Sequence, residues 1–474
     1  MLLSVFVGRG RHRAPRRPAT GIVRDVYLPR TADALAVSMA TYAIPLLVLD
    51  TTHSPALTGL AFALEWVPRL SAFGLAGTLV DRFGPAVVFR AAATVRSAVV
   101  VLAAVALAVA PAGQWSTVIV MLCAAVTGMV TEFSYVAGET SGAHASRLAG
   151  AQAHRVQSVL LGIDQGGTLL GPAAGGVLLL AGASRLLLAI GALSLTAALL
   201  MPHRRAQATA NTELARSAAP AGAAGLRTGW NTLRTLPALG VLVAGLTVSN
   251  LVVGLLQATT PVTVVTVFGR SGADTGLLWS AAAAASLAAI TLCRTAIDRW
   301  GLWTVGAVCS AVASLSCLAI AHATSYPLYV LLIGMVMAGE GGMTVVLRTV
   351  RTRLIPAPAF ASTLAATILI LLLPFPCAGL LVALTPPTAL PHLITGGALL
   401  QALAMSIAFA RLRHHPVLRA PTALTQPPAP APAPAPVSSL GVPPCPPPPP
   451  DSPPPSPSAF PRLLLSFWLS LPAT

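Results

Sequence analysis

Seven ionisable residues lie inside stretches that are otherwise apolar: Asp33, Glu65, Arg69, Arg96, Glu132, Asp164 and Glu340. A central charge in hydrocarbon costs about 2.5–3.5 kcal/mol on insertion scales, so a charge kept there is a functional candidate by default. Such groups can hold a proton, pair with one another or meet a charged ligand. Glu65 and Arg69 stand four apart on one helical face, in the order that pairs well. Two readings follow: a self-neutralising structural pair, or a carboxylate that frees Arg69 on protonation and so couples a proton to a substrate. Glu132 and Arg96 read as partners between helices or as part of a latch around Asp81. Asp33 and Asp164, near the inner face, read as gate or packing charges or as ligand contacts. Glu340, before Gly341-Gly342, is alone in the C-terminal half; it meets a cation or a proton, or is solvated at a cavity wall. Asn250 and Gln257 share one helical face and read as polar cavity liners.

The elements that must hold these residues are membrane helices. Apolar residues make up 55% of the 474 residues and charged residues only 9%, against about 25% charged in soluble domains. Apolar runs long enough to span fall near 31–50, 57–79, 86–110, 115–138, 156–180 and 184–201, then 238–260, 274–296, 303–321, 327–347, 360–384 and 389–410. The expected fold is an all-α polytopic membrane protein of twelve transmembrane helices in two six-helix bundles. The domain reading is a basic segment at 1–30, an N-terminal bundle at 31–201, a linker at 202–237, a C-terminal bundle at 238–411 and a Pro-rich tail at 412–474. The linker's end, 225–234, reads either as a short amphipathic helix on the membrane surface or as an unstructured basic stretch.

The net charge of +16 comes from arginine alone, since the chain has no lysine. Because the arginines fall between apolar runs, they report topology and not nucleic-acid binding. Alternate connections, counted with both ends of the chain, carry 24 arginines, while the opposite connections carry only Arg185 and Arg270. That bias places both termini in the cytoplasm. The richness in Ala, Arg, Gly and Pro suggests a GC-rich bacterial genome, hence the bacterial inner membrane. Five of the six cysteines lie in apolar runs without C-x-x-C spacing and read as small buried side chains. His144 and His154 read as surface residues of a cytoplasmic loop, and residues 1–20 show no cleavable signal pattern. The tail, with alternating Pro-Ala at 427–436, has a composition that buries no core.

Gly77-Thr78-Leu79-Val80-Asp81-Arg82-Phe83-Gly84 joins the second and third spans, and Asp298-Arg299-Trp300-Gly301 stands in the same place in the second half. Gly77 reads as a site of close helix approach and Gly84 as a tight reversal. This repeated D-R-x-G turn resembles the loop signature of the major facilitator superfamily, although Pro85 and Ala86 replace its following basic pair. By resemblance, Asp81, Arg82, Asp298 and Arg299, with Gly301, belong to conformational gating, with Asp81 facing a helix end of the other half. In the fifth span, Gly167-x-x-x-Gly171-Pro172-x-x-Gly175-Gly176 resembles the antiporter motif of superfamily exporters; small residues four apart also make a packing groove. Asp33, Leu47-Val48-Leu49 before Ser54-Pro55, and Pro68-Arg69 add a resemblance to the enterobactin-exporter-like branch.

No P-loop, H-E-x-x-H, G-x-S-x-G or metal-ligand cluster is present, so no enzyme activity and no cofactor are expected. The resemblance implies a proton-coupled exporter of a small amphipathic compound, such as a drug or siderophore, driven by the proton gradient and working by alternating access. Its expected partners are the lipid bilayer, the small-molecule substrate and protons, with no nucleic acid. The alternatives are an importer or facilitator of the same fold, and a transport-inactive membrane scaffold that uses the tail to bind a partner.

Overall fold

The computed structural model describes residues 19–109, 114–149, 153–202, 223–356 and 359–419. Twelve long helical segments run through them. The first six are α1 (Leu28–Thr52), α2 (Pro55–Phe83), α3 (Pro85–Val109), α4 (Gln114–Ala149), α5 (Ala153–Leu180) and α6 (Ala183–Leu200). The second six are α7 (Pro237–Val262), α8 (Gly272–Trp300), α9 (Leu302–Ile320), α10 (Tyr326–Leu354), α11 in two pieces (Phe360–Leu372 and Pro374–Leu384) and α12 (Leu390–Leu412). Ten of the twelve are long and apolar enough to cross a bilayer by composition alone. The other two, α2 and α5, have 29 and 28 residues. The chain is a multi-pass, all-helical membrane protein.

Local chemistry fixes the helix ends. Ser54 accepts from the Leu57 N–H at 3.3 Å, with Pro55 in the first turn of α2, where its missing N–H costs nothing. Ser271 and Asp274 form a reciprocal capping box that starts α8. Gly84 and Gly301 end α2 and α8 at φ +84° and +83°, with ψ of 150° and 158°. Only glycine adopts that conformation readily, so both halves make the same reversal by the same means. The helix α11 breaks at Leu373, ahead of Pro374 and Pro376, and the Asn250 side-chain amide donates to the Leu371 carbonyl at the break (2.8 Å).

Helix packing repeats between the halves. In the first, α1 packs on α5 and α6, α2 on α4, and α3 on α4 and α6. The second copies this: α7 on α11 and α12, α8 on α10, and α9 on α10 and α12. The halves meet along α2 against α11 and α5 against α8. The two seams exploit equivalent glycines, because the 217-residue offset between the D-R-x-G turns (298 − 81) also carries Gly59 onto Gly276. A Cβ on Gly59 would stand 2.7 Å from the Ala383 nitrogen and 2.8 Å from the Gly379 oxygen; one on Gly276 would run into the Pro172 carbonyl. Both contacts lie at the end of the bundle opposite Leu28 and Leu412. Large apolar side chains such as Leu102, Leu199, Leu315 and Leu384 stay exposed on the outer faces, as a lipid-facing surface requires.

Several helices outrun the apolar stretches that predict them. α4 continues to Ala149, so His144 lies inside a helix and not in a loop. The linker's end forms a helix, Ala223–Thr235, whose Gly229 is pressed against the Ser362 carbonyl of α11 and whose Leu233 joins the core. The Pro-rich tail from 420 onward lies outside the described residues.

Candidate functional site

Among the described residues, three ion-pair systems cross-link helices of the N-terminal half. Arg96 of α3, fully enclosed, pairs with Asp33 of α1 and donates to Ser194 of α6 (3.0 Å) and Ser134 of α4 (3.3 Å). At the start of α1, Arg30 grips Asp164 of α5 through two bonds of 2.8 and 3.0 Å and reaches Glu139 of α4 at 2.9 Å. Gly138 leaves the room that this guanidinium occupies. The third pair joins Arg69 of α2 to Glu132 of α4 at 2.9 Å.

These pairings correct two expectations. Arg69 does not neutralise Glu65 on its own helix, and Glu132 does not partner Arg96. The reason is the register of α4 on α2. Gly128, lacking a Cβ, lets α4 sit directly on the Glu65 backbone carbonyl. One turn further along both helices, Glu132 and Arg69 are brought face to face.

Glu65 is therefore left without an ion pair of its own, although the Arg69 charge still acts on it. It is 3% exposed, its Oε2 has no hydrogen-bond partner, and Thr41 of α1 is the polar side chain that faces it. The adjacent Trp66 is also buried, with its indole N–H unpartnered. Its ring stacks on Phe375 of α11, across the seam, with centroids 4.3 Å apart and planes at 20°. The Arg69 guanidinium lies 4.5 Å above the same indole, within cation–π range. A second cross-seam aromatic pair, Tyr42 with Trp279, has centroids 5.4 Å apart. A small void between the halves is lined by Thr41, Tyr42, Pro45, Phe62, Gln257, Pro261 and Trp279. Gln257 thus faces the space between the halves, whereas Asn250 is occupied by the α11 break.

The C-terminal half embeds its acid among neutral polar groups. Its embedded acid, Glu340 of α10, accepts a hydrogen bond from Ser249 of α7, and Gln401 of α12 donates to Ser249 at 2.8 Å. Sequence reading passed over Ser249 and Gln401, and also the seam aromatics Trp66, Phe375, Tyr42 and Trp279. The available signal was slight: Gln401 is the one side-chain amide in α12, and Ser249 precedes Asn250.

The two sequence motifs divide in their structural use. Around Gly77 a Cβ would meet open space, so this glycine does not serve close helix approach. Arg82 and Arg299 each lie over the ring of the next residue, Phe83 at 5.2 Å and Trp300 at 5.9 Å, and Asp298 is exposed. The side chain of Asp81 lies outside the described residues. In α5, Gly167, Gly171 and Gly175 seat α1, with a Cβ on Gly167 only 3.0 Å from the Ala34 backbone. Pro172 and Gly176 seat α8 across the seam. Among the described residues, no group of His, Cys, Asp and Glu has the geometry of a metal site.

Solved structures share this architecture. The chain resembles the nucleoside transporter NupG (D323A mutant) at 13% identity and TM-score 0.62, over 81% of this chain and 99% of that one. It resembles a bacterial homologue of the iron transporter ferroportin, in its inward-facing state, at 14% identity and TM-score 0.60, over 81% and 97%. For a D-xylose-proton symporter the values are 15%, 0.60, 80% and 94%. These likenesses speak for the fold alone, and no curated protein matches the chain. The Major Facilitator Superfamily model, however, matches residues 30–373, and with twelve helices packed as two repeated halves the chain belongs to that superfamily as a membrane transporter.

Proposed function

We propose that the chain is a proton-coupled exporter of a small amphipathic compound in a bacterial inner membrane, with both termini cytoplasmic. The observation that carries this reading is Glu65. Its carboxyl group is buried beside the seam without an ion pair, because Arg69, whose charge still reaches it, is bonded to Glu132. A proton and a donor group on the substrate then compete for one carboxylate, and mutually exclusive occupancy is what antiport requires. The unpartnered Trp66 indole N–H offers an acceptor on the substrate a second contact, and Trp66, Phe375 and Tyr42 offer flat apolar surface. Alternating access follows from rocking the two halves about seams where glycines let backbones meet closely.

Import or facilitated passage by the same fold is the second reading. It is favoured by α5, where the antiporter-like motif residues Gly167, Gly171, Pro172, Gly175 and Gly176 all have packing partners, a sufficient reason for the motif without any directional meaning.

Proton flux in liposomes holding the purified protein tests both. A pH gradient is imposed, and lipophilic cations, antibiotics and siderophores are added in turn. Proton movement that needs a particular compound, and that Glu65→Gln abolishes while the fold is kept, supports coupled export. Compound movement down its own gradient, indifferent to pH and to Glu65→Gln, sinks it in favour of facilitation.

A further inference from the structure

Glu340 poses a different electrostatic problem from Glu65. Of the helices around it, α7 (237–262) and α9 (302–320) contain no charged residue; α8 carries Arg294, whose side chain lies outside the described residues, and α12 carries His392 and Arg411 towards its two ends. The titratable groups that face it are the thiols Cys309 and Cys317 of α9. Gly341 and Gly342 hold neighbouring helices close beside it. A Cβ on Gly341 would stand 2.8 Å from the Ser286 carbonyl of α8, and one on Gly342 would meet the Cys309 sulfur.

What Glu340 has instead is a directed chain of hydrogen bonds. The Gln401 Nε2 donates to Ser249 Oγ (2.8 Å), Ser249 Oγ donates to Glu340 Oε1, and Gln401 Nε2 also lies 3.5 Å from that same oxygen. Ser249 and Gln401 are each 1% exposed, whereas Glu340 is partly exposed. The other end of the amide, Gln401 Oε1, is buried with no partner. With the acid ionised, every donor in this chain points towards the carboxylate. Adding a proton to Glu340 turns the acceptor into a donor, and the chain then needs an acceptor at its far end. A serine hydroxyl serves in either direction, and a half-turn of the amide exchanges its nitrogen for the unpartnered oxygen.

We propose that Glu340, Ser249 and Gln401 form a second proton-binding site, in the C-terminal half and separate from Glu65, in which protonation reverses the hydrogen-bond chain and rotates the Gln401 amide. In the ionised state the order is Gln401 N–H to Ser249, then Ser249 O–H to Glu340. With the proton bound it is Glu340 O–H to Ser249, then Ser249 O–H to Gln401 Oε1. The proton comes from water and returns to it, and no other bond is made or broken. Because three helices contribute one group each, the reversal reports the proton to α7, α10 and α12 together. The site stands whether or not Glu65 couples transport, and in either direction of transport.

Infrared difference spectra of the full chain, taken between alkaline and acid pH, test the site. A protonated-carboxyl band should appear on acidification, persist in Glu65→Gln and vanish in Glu340→Gln. A side-chain amide band should change with the same midpoint and vanish in Gln401→Leu. In Ser249→Ala the carboxyl band should remain while the amide change is lost, because the relay is cut; this arm holds even where Gln401→Leu does not fold. The idea is overturned if no carboxyl band depends on Glu340, or if the amide stays silent while the carboxyl titrates. Suppression of the band by sodium at fixed pH would also overturn it, making the oxygens a metal-cation site. Loss of flux in Glu65→Gln with the Glu340 band intact keeps the two readings distinct.

Discussion

The two halves share a backbone plan and differ in how they fill it. The 217-residue offset carries Asp33 onto Asn250, Gly59 onto Gly276, Gly84 onto Gly301 and Ser97 onto Ser314. At the glycines the equivalence is functional, since both seams and both turns use them alike. At the polar positions it breaks. Asp33 binds a buried arginine, whereas Asn250 binds a backbone carbonyl. Arg96 falls on Ala313, so the C-terminal half has nothing for an acid to bind there. The repeat therefore conserves what backbone geometry demands, while the interior electrostatics diverge. The first half is cross-linked by charge; the second leaves one acid among neutral donors.

The largest predicted effect tests whether that charge carries weight. Arg96→Met strands Asp33 as a buried unpaired carboxylate, and breaking a buried pair on one side costs about 3–5 kcal/mol. The purified variant should unfold at a much lower temperature, and adding Asp33→Asn should recover most of the loss. In the other half, Asn250→Leu gives up one hydrogen bond to a carbonyl, about 0.5–1.5 kcal/mol. Equal losses in Arg96→Met and Asn250→Leu would mean that the electrostatic contrast is decorative.

A smaller effect tests the equivalence of the seams. Gly59→Val and Gly276→Val each force a side chain against backbone, and overpacking of this kind costs about 1–3 kcal/mol. The cost falls only on the conformation in which the seams are closed, so it shifts the population by roughly fivefold to a hundredfold at 1.4 kcal/mol per tenfold. Distances between spin labels at the end opposite Leu28 and Leu412 should lengthen in both variants. Gly77→Ala, facing open space, should leave them unchanged. Opening in only one seam variant would break the symmetry that the offset implies.

These contrasts also mark where the sequence is legible. The spans could be read because hydrocarbon imposes a length and composition on every crossing, and the turns because a D-R-x-G repeat is a local pattern. Span ends were read short at α4, where the helix continues beyond the apolar stretch to Ala149. Pairing partners were misassigned for a physical reason. Glu65 and Arg69 are neighbours along a helix, but Gly128 sets a register of α4 that offers Arg69 a better-placed acid in Glu132. That register is a tertiary fact. Ser249 and Gln401 were overlooked because neutral polar residues in membrane helices carry no charge signal, and each matters only through the other and Glu340. The close-approach reading of Gly77 failed because glycine is compatible with tight packing without requiring it.

The smallest predicted effect compares one hydroxyl in each half. Ser97 donates to the Gly191 carbonyl of α6 at 2.8 Å, closing the contact between α3 and α6. Its equivalent, Ser314 of α9, is 5% exposed with its Oγ unpartnered, and it lines a groove between α9 and α12 with Ser310, Ser406 and Phe409. Interhelical hydrogen bonds in membranes average about 0.6 kcal/mol and reach roughly 1.7, so Ser97→Ala should lower stability by that much. Ser314→Ala removes a buried hydroxyl that bonds nothing, and relief of its desolvation makes the change neutral or stabilising by up to roughly 1 kcal/mol. Opposite signs from the same substitution at equivalent positions, read by thermal or denaturant unfolding in detergent, would show that the second half keeps an interhelical gap where the first keeps a bond. A loss in Ser314→Ala matching that of Ser97→Ala would instead mean that the groove's hydroxyl is bonded, and that the two halves are closed alike.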